Sequence, residues 1–214
     1  IPHEVVDCAE MLLRQRFVKS PAEIEKIRRA CQITSDAFEA LPTHSRIGDS
    51  EIDITRRMRI DLLERGADGT PFMVAGSGAG GYDSIIMGPT QRQPQAGDVL
   101  IIDTGTVFDG YFCDFDRNFG FGHVADDVRQ ANAAVHKAVD AGFAAARPDA
   151  RMCDVWSAMS QVMEDFGSLG NSIGRMGHGL GMLLTEWPSV HPNDQNILES
   201  GVVMTLEPGM TFAP

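Results

Sequence analysis

Three aspartates flank a predicted turn in the middle of the chain and could act together. A two-residue turn at Asp109-Gly110 places Asp103 opposite Asp116 in an antiparallel hairpin, with Asp114 diagonal to Asp103 on the same face. Carboxylates at cross-strand distance repel one another, and a buried carboxylate without a partner is costly in free energy. A divalent cation bound between them would remove that cost. The alternative is that they are surface aspartates beside a turn, one of them paired with Arg117.

A histidine and a glutamate further along the chain could complete such a site. His178 stands between Gly177 and Gly179, and glycines on both sides allow close backbone approach and leave the imidazole unobstructed. Glu207 ends an apolar run and is followed by Pro-Gly, which breaks a strand. Taken singly, a hydrogen-bonded histidine and a strand-end surface acid are the ordinary interpretations. Together with two aspartates they form an oxygen-rich ligand set that suits Mn, Fe, Co or Zn better than a closed structural zinc site.

In their order along the chain, these motifs resemble those of the pita-bread metallopeptidases, a superfamily that includes methionine aminopeptidases, prolidases and Xaa-Pro aminopeptidases. The segment from Arg16 to Ile24 resembles the opening of the catalytic domain in the prolidase branch. The resemblance extends from about Arg16 to Gly209, which is nearly the whole chain. It implies an α+β pita-bread fold, in which a curved, mainly antiparallel sheet carries helices on its outer face and the two halves are related by a pseudo-twofold axis.

The resemblance implies a site with two divalent metal ions (Mn, Co, Zn or Fe). By position, Asp103 resembles the terminal ligand of one metal, Asp114 the bridging ligand and His178 the ligand of the second metal. Glu207 resembles the glutamate that binds the second metal and acts as general base. The family has a fifth ligand, a bridging glutamate, that would lie beyond residue 214, so we expect the C-terminal end to be truncated. The implied reaction is attack of metal-activated water on the peptide bond before proline.

The chain departs from the peptidase pattern at positions that would contact substrate. Ile86 and Thr185 replace two histidines that bind the substrate carbonyl in the family. Threonine donates one hydrogen bond without charge and isoleucine donates none, and loss of one such donor typically costs about 10²–10³ in rate. A short peptide cleaved before proline is therefore one predicted substrate. A small zwitterionic metabolite, handled by a non-peptidase hydrolase or lyase of the same fold, is the alternative.

Two further residues near these motifs have more than one interpretation. Asp116 stands where the family usually has Ser or Thr. It is either a replacement acid or base, or a hydrogen-bonding partner of His178 or Arg117. Trp187 either walls the substrate pocket or packs in the core.

Composition narrows the class of protein. The chain has 214 residues, with 43% hydrophobic and 22% charged residues, as a globular domain does. Its formal charge of −12 argues against a nucleic-acid partner, and no apolar run is long enough to span a membrane. The four cysteines are widely spaced, which predicts reduced thiols and a cytoplasmic location. We expect residues 1–20 to lead in from a separate N-terminal domain and residues 21–214 to form the catalytic domain, and the resemblance implies a homodimer.

Local signals predict the elements that position these residues. Ser20, Pro21 and Glu23 form a helix start with a capping box. The predicted helices cover Pro21 to about Leu41, Ser50–Arg65, Asp126–Ala146 and Met152–Phe166. The predicted strands are Phe72–Val74, Ser84–Met87, the two strands around Asp109-Gly110, and a last pair at Val202–Glu207 and Met210–Phe212.

Overall fold

The computed structural model describes residues 6–46, 48–79, 87–170 and 174–212. The helices are α1 (Ala9–Phe17), α2 (Pro21–His44), α3 (Glu51–Glu64), α4 (Asp126–Ala145) and α5 (Met152–Phe166). The strands are β1 (Met73–Gly78), β2 (Val99–Thr104), β3 (Val107–Phe108), β4 (Tyr111–Phe112), β5 (Phe115–Gly120), β6 (His178–Gly179) and β7 (Glu186–Ser189). Helices and antiparallel strands in this mixture confirm the predicted α+β class.

Capping residues mark the starts of α2 and α3. The Ser20 hydroxyl accepts the Glu23 backbone N–H, and the Glu23 carboxylate accepts the Ser20 N–H, which confirms the predicted capping box. Ser50 and Asp53 form a second capping box at the start of α3. The two helices after the hairpin also agree with the periodicity, and α5 has the predicted bounds.

The hairpin that carries the aspartates has the predicted register. Asp109 and Gly110 both have positive φ (48° and 79°), the conformation of the two-residue turn that matches the strand twist. Strand β2 lies between β1 and β5 in a three-stranded antiparallel sheet, and Asp103 pairs with Asp116. The turn sets the register, so the carboxylates share one face as predicted.

The core is divided into two clusters that match the expected two halves. The first cluster joins α2 and α3 to the three-stranded sheet and includes Ile33, Leu62 and Ile102. The second joins α4 and α5 to the segments around Met176 and Val190. The Asp hairpin belongs to the first half and His178 to the second, so a site that uses both must lie between the two clusters.

One expectation about secondary structure is wrong, and one helix was not predicted. The last strand pair, Val202–Glu207 with Met210–Phe212, does not form; the first segment has only single bridges, such as Gly179 with Met204. Its hydrogen-bonding neighbour is the glycine-rich run around His178, where a bulge interrupts the ladder. The helix α1 was not predicted, because its apolar residues are consecutive and exposed rather than spaced along one buried face.

Within the described residues, no helix combines the length and the apolar character that a bilayer crossing requires.

Candidate metal centre

Three side chains from distant parts of the chain converge at one point. Asp114, His178 and Glu207 each offer a ligand atom, and these atoms all lie within 4.8 Å of one another. The Nε2 atom of His178 is 3.3 Å from Asp114 Oδ2 and 3.2 Å from Glu207 Oε1. Asp114 follows the short strand β4, His178 begins β6, and Glu207 lies in the extended segment hydrogen-bonded to Met176.

The histidine is held in the tautomer that a metal ligand needs. Its Nδ1 atom is 2.9 Å from the carbonyl oxygen of Gly179. A carbonyl can only accept a hydrogen bond, so Nδ1 carries the proton and Nε2 presents its lone pair to the acids. The backbone N–H of His178 donates to Thr205 Oγ1 at 3.0 Å, which fixes the segment. The imidazole is buried, with 3% of the side chain exposed, so its orientation is set by the protein.

The glycines around His178 are required by close packing. A β-carbon at Gly177 would overlap the carbonyl oxygen of Thr205, and one at Gly179 would overlap that of Trp187. A β-carbon at Gly181 would lie within 3 Å of the Glu186 carboxylate. The close backbone approach that these glycines predicted is therefore confirmed.

The Asp103 carboxyl has no cationic partner among the described residues and faces other acids instead. Burial, the charges of Asp114, Asp116 and Glu207 and a hydrogen bond to Asp114 together raise its pKa to about 8, with burial the largest cause. Two carboxyl groups that share a hydrogen bond hold one proton between them. A divalent cation at this point would replace that proton and allow both groups to ionise.

Glu207 and His178 are perturbed in the same way. Burial raises the pKa of Glu207 and Asp114 adds to the effect, while His178 opposes it. Burial lowers the pKa of His178, but the hydrogen bond to Asp114 and the charge of Glu207 outweigh it, so the pKa is raised. Both shifts therefore arise where buried acids surround one imidazole.

Asp116 belongs to the same face but makes neither of the contacts considered for it. Its carboxylate has no hydrogen bond to His178 or Arg117 within the part of the chain that is described. Arg117 donates to the Asp116 backbone oxygen, and its guanidinium lies over the rings of Phe38 and Phe115. Asp116 is exposed to solvent, yet the protein around its carboxyl displaces enough water to raise its pKa to about 7, with Glu207 and Asp114 adding to the rise.

The donor set fits a divalent transition metal. Asp103, Asp114, Asp116 and Glu207 bring four carboxylates together with a single imidazole, and the raised pKa values of Asp103, Asp116 and Glu207 combine burial with the charge of neighbouring acids. Carboxylate oxygens with one imidazole nitrogen are ligands that Mn, Fe, Co and Zn accept. The arrangement therefore has both the charge and the ligand chemistry of a metal centre.

Of the residues that were predicted to contact substrate, the structure describes Thr185 and Trp187. Ile86 lies outside the described residues. Thr185 is exposed and directly precedes β7. The ring of Trp187 packs 4.6 Å from that of Phe17, Arg14 lies 5.8 Å above it, and the residue lines a cavity of about 300 Å³ next to α1. A contact between Trp187 and substrate stays a prediction.

Sequence reasoning missed a buried ion pair near the site. Lys19 Nζ lies 3.0 Å from Glu186 Oε2, and 3% of each side chain is exposed. Both residues stand inside segments already singled out, the lead-in before α2 and the run that contains Thr185. Their separation of 167 residues left no spacing signal that would pair them.

Comparison with known proteins agrees with this geometry. A family model described as metallopeptidase family M24 matches residues 25–214. The chain is 28% identical over 204 residues to the probable dipeptidase PepE of Mycobacterium tuberculosis, covering 95% of this chain and 54% of that protein. It is 30% identical over 212 residues to the uncharacterized peptidase YqhT of Bacillus subtilis, covering 97% and 59%.

A solved structure shows the same fold. The crystal structure of X-Pro aminopeptidase from Thermotoga maritima superposes with a TM-score of 0.87 at 26% identity, covering 94% of this chain and 57% of that one. The similarity confirms the expected pita-bread fold. The chain spans somewhat more than half the length of the proteins it matches.

Proposed function

The chain belongs to metallopeptidase family M24, and from this premise we propose that it forms the metal-binding part of a hydrolase that cleaves short peptides before proline. The observation that carries the proposal is the convergence of Asp114, His178 and Glu207 from both halves of the fold. The X-Pro aminopeptidase of Thermotoga maritima has the same fold, and PepE is named a dipeptidase. Those names favour a peptide over the alternative, a small zwitterionic metabolite.

The residues that would hold metal are Asp103, Asp114, His178 and Glu207, and we propose that they bind two divalent ions, manganese among them. When bound, such ions supply Lewis-acid activation of water and of the scissile carbonyl. Asp103 and Asp114 contribute the negative charge that retains the cations. His178 contributes its Nε2 lone pair, kept available by the hydrogen bond of Nδ1 to the Gly179 carbonyl.

We propose that Glu207 moves the proton. Its side chain is 39% exposed, which leaves it accessible to water, and its Oε1 atom lies 3.2 Å from His178 Nε2. Burial raises its pKa, which brings it closer to neutral pH, where a general base both accepts and returns a proton efficiently. We propose that Glu207 takes the proton from the attacking water and delivers it to the leaving nitrogen.

The test is turnover by the protein at its full natural length. It would be loaded in turn with Mn, Co, Zn or Fe(II) and assayed on Xaa-Pro di- and tripeptides, with Asp103→Ala as the inactive control. Release of the residue before proline, lost in the control, supports the proposal. Tight metal binding without hydrolysis of any peptide contradicts it and favours the small zwitterion.

Further proposals concern the domains, the oligomeric state and the location of the whole protein. We propose that residues 1–20 lead in from an N-terminal domain, that residues 21–214 belong to the catalytic domain, and that the protein is a homodimer. Cys8, Cys31, Cys113 and Cys153 are all free thiols, which is consistent with the reducing cytoplasm that we propose as its location. Light scattering of the full-length protein would measure its mass, and a monomer would contradict the dimer.

A further inference from the structure

The buried Lys19–Glu186 pair closes a turn next to the metal centre. One Glu186 oxygen accepts from Lys19 Nζ at 3.0 Å, and the other accepts the backbone N–H of Leu183 at 3.1 Å. The carboxylate also packs on Gly181, where a β-carbon would not fit. The carbonyl of Gly181 in turn accepts the N–H of Phe112 at 2.8 Å, which ties the turn to β4. Both oxygens of Glu186 are therefore used to shape residues 181–186.

Lys19 is fixed from its own side. Its backbone N–H donates to the carbonyl of Gly201 at 2.9 Å, and Val18 forms a bridge with Val202. Gly201 lies against the Lys19 backbone so closely that a β-carbon there would be about 3.1 Å from the Lys19 carbonyl oxygen. The ammonium group is thus anchored to the segment that leads to Glu207. The ion pair links this segment, the lead-in before α2, and the turn before β7.

The turn lies directly beside a metal ligand. Glu186 pairs with Gly179, the residue that follows His178. Thr185 directly precedes Glu186 in the bend that leads into β7, so the contacts of the Glu186 carboxylate also fix where the Thr185 backbone lies. Any shift of Glu186 would move Thr185 relative to the metal centre.

A buried ion pair is a poor way to gain stability, because desolvation offsets the attraction and apolar residues of similar size often stabilise as well. Its value lies in fixing geometry. We propose that Lys19 and Glu186 are positioning residues that hold the 181–186 turn, and with it Thr185, against the metal centre. For catalysis this rests on the proposed function, but the positioning itself can be measured without any turnover.

The first measurement is hydrogen exchange of the backbone amides of residues 181–186 in the metal-loaded full-length protein. Glu186→Gln keeps the shape but offers only one acceptor oxygen, so either Lys19 or the Leu183 N–H loses its partner. We expect the Leu183 amide to exchange at least about tenfold faster, with the metal content unchanged. Glu10→Gln, which breaks the exposed pair with Arg14, is the matched control and should leave the turn unchanged.

The variant Lys19→Met/Glu186→Leu, which offers no acceptor to the Leu183 N–H, separates positioning from stability. It removes both charges, so the chain folds without a buried unpaired ammonium. If the pair positions the turn, fast exchange of the Leu183 amide persists in this variant even when its melting temperature equals that of the wild type. Exchange at the wild-type rate in both Glu186 variants would overturn the proposal.

The second measurement connects the pair to catalysis. We expect Glu186→Gln to lower kcat on an Xaa-Pro dipeptide by about ten- to a hundredfold, with KM changed less than threefold, because a small misplacement costs that much. Thr185→Ala should lower kcat similarly, and the double variant should be no worse than the poorer single one. Additive losses would show that the pair does not act through Thr185. If the wild type cleaves no such peptide, the proposed function fails, and hydrogen exchange alone decides the positioning.

Discussion

Two environments for acidic side chains differ sharply within this molecule. Glu51, at the start of α3, is 1% exposed and accepts four hydrogen bonds, from the backbone N–H and hydroxyl of both Ser77 and Thr90. At the metal centre, Asp103 is hydrogen-bonded to another acid, Asp114, and has further carboxylates around it. Glu51 and Asp103 are both partly or fully buried, but only Glu51 is surrounded by hydrogen-bond donors.

The difference distinguishes a structural acid from a ligand. Glu51 has two donors on each oxygen, so the protein itself replaces the water that burial removed. Its bonds join the end of β1 to Thr90, on either side of the segment that contains Ile86. In the described part of the metal centre, Thr205 donates to Glu207, but Asp103 is hydrogen-bonded to another acid, so these charges are compensated less fully than that of Glu51. We expect a bound cation to supply the positive charge that would compensate these acids.

The largest effect should come from removing a ligand. Asp114→Asn should lower Xaa-Pro peptide turnover by about 10³-fold or more and reduce the metal content, because it removes charge at the point where the two halves meet. Peptide kinetics together with elemental analysis of the purified protein would measure both effects. Glu51→Gln is the comparison variant and should retain its metal. Loss of metal in both variants would remove the distinction between the two environments.

The second effect is a dependence of stability on pH in the metal-free protein. The pKa of Asp103 is about 8 in the folded chain, well above its ordinary value of 3.8. Between these values the folded chain keeps a proton that the unfolded chain releases, so the free energy of unfolding falls as pH rises. Urea denaturation of chelator-treated protein from pH 4 to about 8 would show this fall, and Asp103→Asn should flatten it.

Two results would contradict that expectation. Equal pH slopes for the wild type and Asp103→Asn would mean that the folded chain compensates the charge of Asp103 without a cation. Added Mn²⁺ should stabilise the wild type most at high pH, where the carboxylates are ionised. Stabilisation that does not depend on pH would place the ion away from these acids.

The third effect concerns Glu51, whose carboxylate oxygens each accept two hydrogen bonds. Glu51→Gln turns an amide NH₂ towards donors that previously met a carboxylate oxygen, and should lower the free energy of unfolding by about 1–3 kcal/mol. Chemical denaturation with metal bound would measure the loss. Glu64→Gln, at an exposed position on the same helix, is the matched control and should change stability by less than about 0.5 kcal/mol. Equal losses in the two variants would show that the four hydrogen bonds contribute nothing.

The smallest effect concerns Asp116. Its charge contributes to the raised pKa of Asp103, but its side chain is exposed, so solvent screens the repulsion. Asp116→Asn should raise the melting temperature of the metal-free protein at pH 8 by less than Asp103→Asn does, with the metal content unchanged. Thermal unfolding and elemental analysis would measure these effects. Loss of metal would identify Asp116 as a ligand.

Local chemistry accounts for what the sequence predicted well. The Asp-Gly turn determines the register of its hairpin, so the pairing of Asp103 with Asp116 followed from a few adjacent residues. The start of α2 followed from Ser20 and its capping partner. The combination of the hairpin acids with His178 and Glu207 came from the resemblance to a family, because residue spacing alone does not show which distant segments meet.

The failures share a physical cause. Lys19 and Glu186 form one pair across most of the chain, and neither carries a periodic signal. The pattern of Val202–Glu207 predicts a strand, but the neighbouring segment around His178 is irregular, so a continuous ladder of hydrogen bonds cannot form. Each error concerns long-range packing.

The division of the ligands between the halves has a consequence for the order in which they meet during folding. Asp103 and Asp114 are joined by a hairpin, and hairpins close within microseconds. His178 reaches them only after a much longer loop has closed, which is slower. A newly made chain therefore has an oxygen-only half-site first, of the kind that magnesium and calcium also occupy. In the proposed metal site, the nitrogen ligand that favours a transition metal is therefore added last, when His178 meets the carboxylates.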